Sequence, residues 1–129
     1  MIHQENVFNC GVTQLFAMLT EAEKFRAFTD SKAEIDASAG GKFSLFGGMI
    51  SGQTIELVAD QYLVQAWRAG NWEPGIYSIV KFEFKVISPT ETALIFDHSG
   101  YPTESEAHLT EGWNQQYWGP MKKYLETPA

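Results

Sequence analysis

Polar and apolar positions follow a helical period near both ends of the chain and a period of two between them. Ile2 to Phe8 alternates weakly and is expected to form a first strand. Asn9-Cys10-Gly11 is a turn. Val12, Leu15, Phe16 and Leu19 then fall at helical spacing. Thr20 and Glu23 have the spacing of a capping box, so a second short helix is expected there, with Phe25 and Phe28 buried. From Lys32 onward the period shortens. Ala33 to Ala37, Lys42 to Phe46, Gln53 to Val58, Tyr62 to Ala69, Ile76 to Ile87 and Thr92 to Ser99 read as strands separated by Gly, Pro and Asp turns. In Gln53 to Val58, Ile55 and Leu57 share one face and Thr54 and Glu56 the other. In the clearest strand, Ser78, Val80, Phe82, Phe84 and Val86 share a face opposite Lys81, Glu83 and Lys85. Leu94, Phe96 and His98 form the inward set of the strand after it.

The last stretch, Thr103 to Leu125, reads as one long amphipathic helix opened by a capping box of Thr103 and Glu106. At about 100° per residue, eight apolar residues fall within roughly half its circumference: Leu109, Trp113, Tyr117, Trp118, Pro120, Met121, Tyr124 and Leu125. So wide an aromatic face needs a cover, and the strands are the only candidate. One buried and one wet face per strand imply an antiparallel sheet covered on one side. The pattern therefore predicts an α+β domain over residues 1–129. Two short helices follow the first strand, and a curved antiparallel sheet of about six to seven strands wraps a long C-terminal helix.

Composition narrows the function. The chain has 129 residues, enough for one domain with a real core. Its net charge of -7 repels phosphate backbones and anionic surfaces, which excludes nucleic acid as an expected partner. No apolar run approaches the roughly 20 residues of a membrane span, and the first residues lack a signal-peptide pattern. Cys10 is the single cysteine, so no intrachain disulfide is possible. These features point to the cytoplasm, with no membrane insertion.

Motifs of catalysis are missing. No G-x-S-x-G, P-loop or G-x-G-x-x-G occurs, and no His spacing suits a metal, so neither catalytic residue, metal nor cofactor is expected. Asp97 and His98 are neighbours on a strand and point to opposite faces. His98 shares the inward parity of Leu94 and Phe96. It is read either as a structural hydrogen-bonding group or as a polar group in a pocket mouth. Trp67 and Arg68 alternate across the sheet, so at most one faces inward. Trp72, in the following loop, either packs an edge or caps a pocket. Thr110 and Asn114 fall within the apolar arc of the last helix and need polar partners there.

Particular segments carry a resemblance. They are AFTD at Ala27–Asp30, GGKFSLFGGMISG at Gly40–Gly52, ELV at Glu56–Val58, LVQAWRAGNWEPGIYS at Leu63–Ser78, HSGYP at His98–Pro102 and EGWNQQYWGPMKKYL at Glu111–Leu125. In this order they resemble the family of activators of the heat-shock-protein-90 ATPase, within the START-like, birch-pollen-allergen-like helix-grip superfamily (SRPBCC). Two departures are local: Trp72-Glu73-Pro74-Gly75 stands where the family has Trp-Pro-Glu-Gly, and Cys10-Gly11 where it has a small residue and Pro. The eukaryotic co-chaperones carry a further N-terminal domain, whereas this chain is expected to start at the helix-grip domain.

The resemblance implies the helix-grip fold and, for stand-alone relatives, small-molecule binding. The expected function is therefore to hold a small apolar or amphipathic molecule between sheet and last helix, as monomer or homodimer. The expected lining is Phe46, Trp67, Phe82, His98, Trp113, Tyr117 and Met121, with Trp72 at the mouth; His98 or Asn114 would orient the ligand. Two alternatives stand beside it. One is a co-chaperone-type module that stimulates a chaperone ATPase. The other is a cyclase- or hydrolase-like enzyme, for which His98 is the candidate acid–base group.

Overall fold

The computed structural model describes residues 1–126, so the last three residues of the expected domain lie outside the described ones. Strand β1 (Ile2–Phe8) leads into α1 (Val12–Thr20) and α2 (Ala22–Thr29). Six strands follow: β2 (Ala33–Ile35), β3 (Lys42–Leu45), β4 (Ile50–Val58), β5 (Tyr62–Ala69), β6 (Ser78–Ser88) and β7 (Glu91–Ser99). They form one seven-stranded antiparallel sheet in the order β1-β7-β6-β5-β4-β3-β2. Helices α1 and α2 carry the chain from one edge of this sheet to the other. A helical run over residues 103–126 then crosses the inner face. This is the expected α+β architecture with a sheet gripping a C-terminal helix.

Alternation explains most of the sheet. Val80, Phe82 and Phe84 on β6 and Leu94, Phe96 and His98 on β7 are buried side by side, while Lys81 and Lys85 face out. Two departures from the expected pattern lie at register shifts. Val86 keeps its register opposite Thr92 but stands next to the β6–β7 shift between Val86 and Ser88, near the end of the ladder, and is 62% exposed instead of buried. The β4–β5 register shifts between Thr54 and Glu56, so Thr54 is buried, while Glu56 and Ile55 face solvent, Ile55 being 47% exposed. Each bulge adds one residue, and one residue reverses every later side chain.

Gly52 is required where β3, β4 and β5 meet. A Cβ there would lie 1.9 Å from the Ala66 carbonyl oxygen and 2.7 Å from the Phe43 ring. Gly52→Ala is expected to cost about 1–3 kcal/mol by overpacking, measured by urea unfolding. An unchanged midpoint would mean that the strands part at no cost.

Neither capping box forms. Thr20 ends α1, and its Oγ1 donates to the Phe16 carbonyl at 2.9 Å instead of capping α2. At the last helix, Pro102 precedes a 3₁₀ turn (Thr103–Ser105), and the Ser105 N–H donates to the Pro102 carbonyl at 2.9 Å. The Glu106 carboxylate meanwhile accepts from the Tyr101 hydroxyl. Local backbone bonds have satisfied the groups that the boxes would have served.

The helical run is also not uniform. Helix α3 (Glu106–Trp113) passes through a π turn (Asn114–Trp118) into α4 (Gly119–Glu126). The Gly119 N–H donates to the carbonyl of Asn114, five residues back. Pro120 has no N–H to give the preceding turn, and a proline ring crowds the carbonyl four residues before it. A wider turn relieves both problems. Gly119 makes it possible, since a Cβ there would lie 2.9 Å from the Asn114 oxygen. The extra residue brings Trp113, Trp118 and Met121 inward together and turns Tyr124 out, 42% exposed, contrary to the simple helical arc. Thr110 and Asn114, expected within that arc, are exposed. Thr110 Oγ1 donates to the Glu106 carbonyl and Asn114 Nδ2 to the Thr110 carbonyl.

Candidate functional site

The centre of the grip is filled. Trp113 packs on Phe96 with ring centroids 4.2 Å apart and on Tyr117 at 4.3 Å, and Phe82 and Trp118 close around it. Phe82 and Met121 belong to this packed interior. The room lies to one side, in a partly open cleft of about 900 Å³. Its walls are the Phe46–Ile50 turn, the segment from Ala69 to Trp72 and the flank of α3 that carries Gly112.

Of the eight residues expected to hold a ligand, Phe46, Trp67, Trp72, Trp113 and Tyr117 line this cleft. Phe82, His98 and Met121 do not. Trp67 faces in and packs edge-on against Trp72, with centroids 5.8 Å apart. Arg68 faces away and donates to the carbonyls of Trp72, Glu73 and Ile76, which pins the loop that carries Trp72. Phe46, expected to end a strand, has a φ of 53° and opens a tight turn through Gly47 and Gly48. A bulky residue in this left-handed region is strained, and here its ring is held against Phe25 and Tyr117.

Sequence reasoning missed the Met49 turn, Gly70, Asn71 and the α3 flank at His108 and Gly112. Gly112 carried the one available signal. It recurs at helical spacing with His108 and Leu109, and a Cβ there would meet nothing within 4 Å.

His98 does something else. The Trp113 indole N–H donates to its Nδ1 at 3.0 Å, and Ser78 Oγ lies 2.7 Å from its Nε2. An indole nitrogen only donates, so Nδ1 is the unprotonated nitrogen and Nε2 carries the hydrogen. That hydrogen goes to Ser78 Oγ, which in turn donates to the Trp67 carbonyl at 2.7 Å. Burial holds the His98 pKa down to about 4, helped by the positive amino terminus. The Ser–His pair has the separation of a nucleophile and its base. However, both residues are buried outside the cleft lining, and each polar atom is already used. The chain of bonds fastens β5, β6, β7 and α3 together. On the outer face, Asp97 bonds to Nδ1 of His3 at 2.7 Å, so Asp97 and His98 serve different sides of the sheet.

One polar group at the cleft is unsatisfied. Trp67 is only 3% exposed, and its Nε1 has no hydrogen-bond partner. The indole lies near enough to the Tyr117 hydroxyl to offset part of the rise that burial gives that group's pKa, without meeting it in hydrogen-bond geometry. The cleft lining contains no Lys, Arg, Asp or Glu. Among the described residues, no helix is long and apolar enough to cross a membrane, and no three His, Cys, Asp or Glu are placed to hold a metal ion.

An antiparallel sheet closed on a C-terminal helix, with two short helices bridging its edges, defines a START-like helix-grip domain. The chain belongs to the family described as Activator of Hsp90 ATPase homolog 1-like protein, which matches residues 9–126. It is 34% identical over 128 residues to activator of 90 kDa heat shock protein ATPase homolog 2 of Mus musculus, covering 99% of this chain and 38% of that protein. It is 30% identical over 119 residues to homolog 1 of Homo sapiens, covering 92% of this chain and 35% of that one. The chain thus spans little more than a third of these relatives' length. A crystal structure of an HSP90 activator from Plasmodium falciparum superposes with a TM-score of 0.92 at 27% identity, covering 98% of this chain and 96% of the other.

Proposed function

We propose that this chain is a co-chaperone-type module that acts on an HSP90-type ATPase. The observation that carries the reading is the agreement with the Plasmodium falciparum activator over nearly the full extent of both chains. The likeness to a structure described as an HSP90 activator supports the same role for this chain. The two mammalian relatives support the same assignment over this segment. The single cysteine and acidic balance support a cytoplasmic setting. The decisive measurement is ATP hydrolysis by a purified HSP90-type chaperone with increasing amounts of the purified chain. A saturable rise in rate is expected. A flat rate at saturating concentration, with no complex detected by sedimentation, would remove the proposal.

The cleft favours a second reading alongside the first: the domain holds a small, mostly apolar molecule. Its volume of about 900 Å³ is within the range of small-molecule sites, and Phe46, Trp67, Trp72, Trp113 and Tyr117 are among its lining residues. The ligand would sit beside the packed centre of the grip, in contact with Trp67, Trp72 and Tyr117. The buried, fully bonded His98 gives no support to an enzyme that uses it as a base.

A further inference from the structure

We infer that Arg68 is the positioning residue of the cleft: from the opposite face of the sheet it shapes the loop after β5 so that Trp72 stands as a wall against the ligand. The inference rests on the second reading above and names the residue that sets the affinity of that site.

The loop from Ala69 to Ile76 consists of two turns set end to end. The Trp72 N–H donates to the Ala69 carbonyl at 3.1 Å, and the Ile76 N–H donates to the Glu73 carbonyl at 3.2 Å. In the second turn Pro74 holds the first central position and Gly75, at a φ of 83°, the second. That is the sequence and backbone of a type II turn, in which a side chain at the second position is strained. The carbonyls of Trp72 and Ile76 accept no bond within the loop. Arg68 serves both. Its Nη2 donates to the Trp72 carbonyl at 2.9 Å, and its Nη1 to those of Glu73 at 3.0 Å and Ile76 at 3.3 Å.

The guanidinium has no competing carboxylate, since none of the ion pairs among the described residues includes Arg68. It is half-buried, 5.7 Å from the centre of the Tyr77 ring. A planar fork serves several carbonyls at once, whereas a lysine is a point donor. On the other side of the sheet Trp72 is 8% exposed and lies edge-on to Trp67 at the cleft. The Gly70 N–H donates to the Met49 carbonyl at 2.7 Å, which ties the start of the loop to the facing turn of the cleft. Held there by Met49 and further on by Arg68, the loop presents Trp72 in one place. A wall fixed beforehand spares the ligand the cost of ordering it.

The test uses N-phenyl-1-naphthylamine, an uncharged probe whose fluorescence rises in apolar surroundings. Wild type is expected to bind it. Arg68→Lys is expected to bind it about tenfold more weakly, the low end of what a charge-assisted hydrogen bond contributes. Trp72→Ala is expected to lose at least as much. In the Trp72→Ala background, Arg68→Lys should change affinity by less than about twofold, because its effect passes through the missing indole. Two additive losses would show that Arg68 acts on the fold in general and would overturn the inference.

Gly75→Ala keeps the question decidable if Trp72→Ala does not fold. A Cβ at Gly75 meets nothing within 4 Å, so it acts on the turn through the backbone. It is expected to weaken the probe about threefold or more, and unchanged affinity would overturn the inference. Probe binding by wild type that Arg68→Lys leaves unchanged would overturn the role of Arg68 yet keep a ligand cleft. Absence of binding by wild type would remove the ligand reading and the inference with it.

Discussion

Acidification from pH 7 to pH 4 is expected to cost the fold about 3 kcal/mol through His98 alone. In the unfolded chain this imidazole titrates near the ordinary value of 6.5; in the folded chain it titrates at about 4. Between those values the unfolded state binds a proton that the native state refuses. Stability therefore falls as pH drops from 6.5 towards 4, by up to about 1.4 kcal/mol per pH unit. Above 6.5 the ring is neutral in both states and contributes no slope. His3 works in the opposite sense. Hydrogen bonds to Glu5 and Asp97 raise its pKa, so its contribution is present at low pH and is lost as pH rises through the raised value. Urea unfolding of wild type and His98→Gln at several pH values separates the two, because both proteins retain His3. The wild-type curve should be the steeper between pH 6.5 and 4. Parallel curves would mean that His98 is protonated in the native state.

Trp113→Ala is expected to remove about 3–5 kcal/mol, enough to unfold a domain of ordinary stability. The indole is buried to within 2% and sits among Phe82, Phe96, Tyr117 and Trp118. Its removal leaves a cavity at the centre and takes the donor from His98 Nδ1. Trp113→Phe divides these effects. It keeps an aromatic ring in the site but removes the N–H together with part of the bicyclic volume, at an expected cost of about 1–3 kcal/mol. Equilibrium urea unfolding reads both variants. A Trp113→Ala protein as stable as wild type would show that the packed centre contributes nothing to holding the helix in the grip.

The sheet was legible in the sequence wherever hydrophobic alternation ran unbroken, as on β5, β7 and the first two-thirds of β6. It became illegible where the backbone adds a residue. The bulge at Thr54 reverses parity within β4, and no side-chain pattern marks it. The start of β4 at Ile50 was hidden by Ser51 and Gly52, residues of low strand propensity, of which Gly52 is required by the close approach of the Ala66 carbonyl. The inward set of β7 was readable, and so was the separation of Asp97 from His98. The partners of His98 were not. Ser78 and Trp113 come from two other elements, and only the register joins them.

The cleft was half legible. The large aromatics at Trp67, Trp72, Trp113 and Tyr117 stood out by type, whereas its width depends on Gly70 and Gly112, where side chains are missing. An aromatic arc on a helix does not distinguish a filled interior from an opening beside it. Phe82 and Met121 went to the first, and the α3 flank to the second.

The wide turn between α3 and α4 means that the rod holds one residue more than its span demands. Deleting any one residue from 114 to 118 would restore an ordinary helix of nearly the same reach. Everything beyond the cut would nevertheless swing by about 100°. Met121 would then leave the interior, and a different edge of the rod would meet α2. In this fold the C-terminal segment is indexed by its phase rather than by its extent, and Gly119-Pro120 is the notch that sets it.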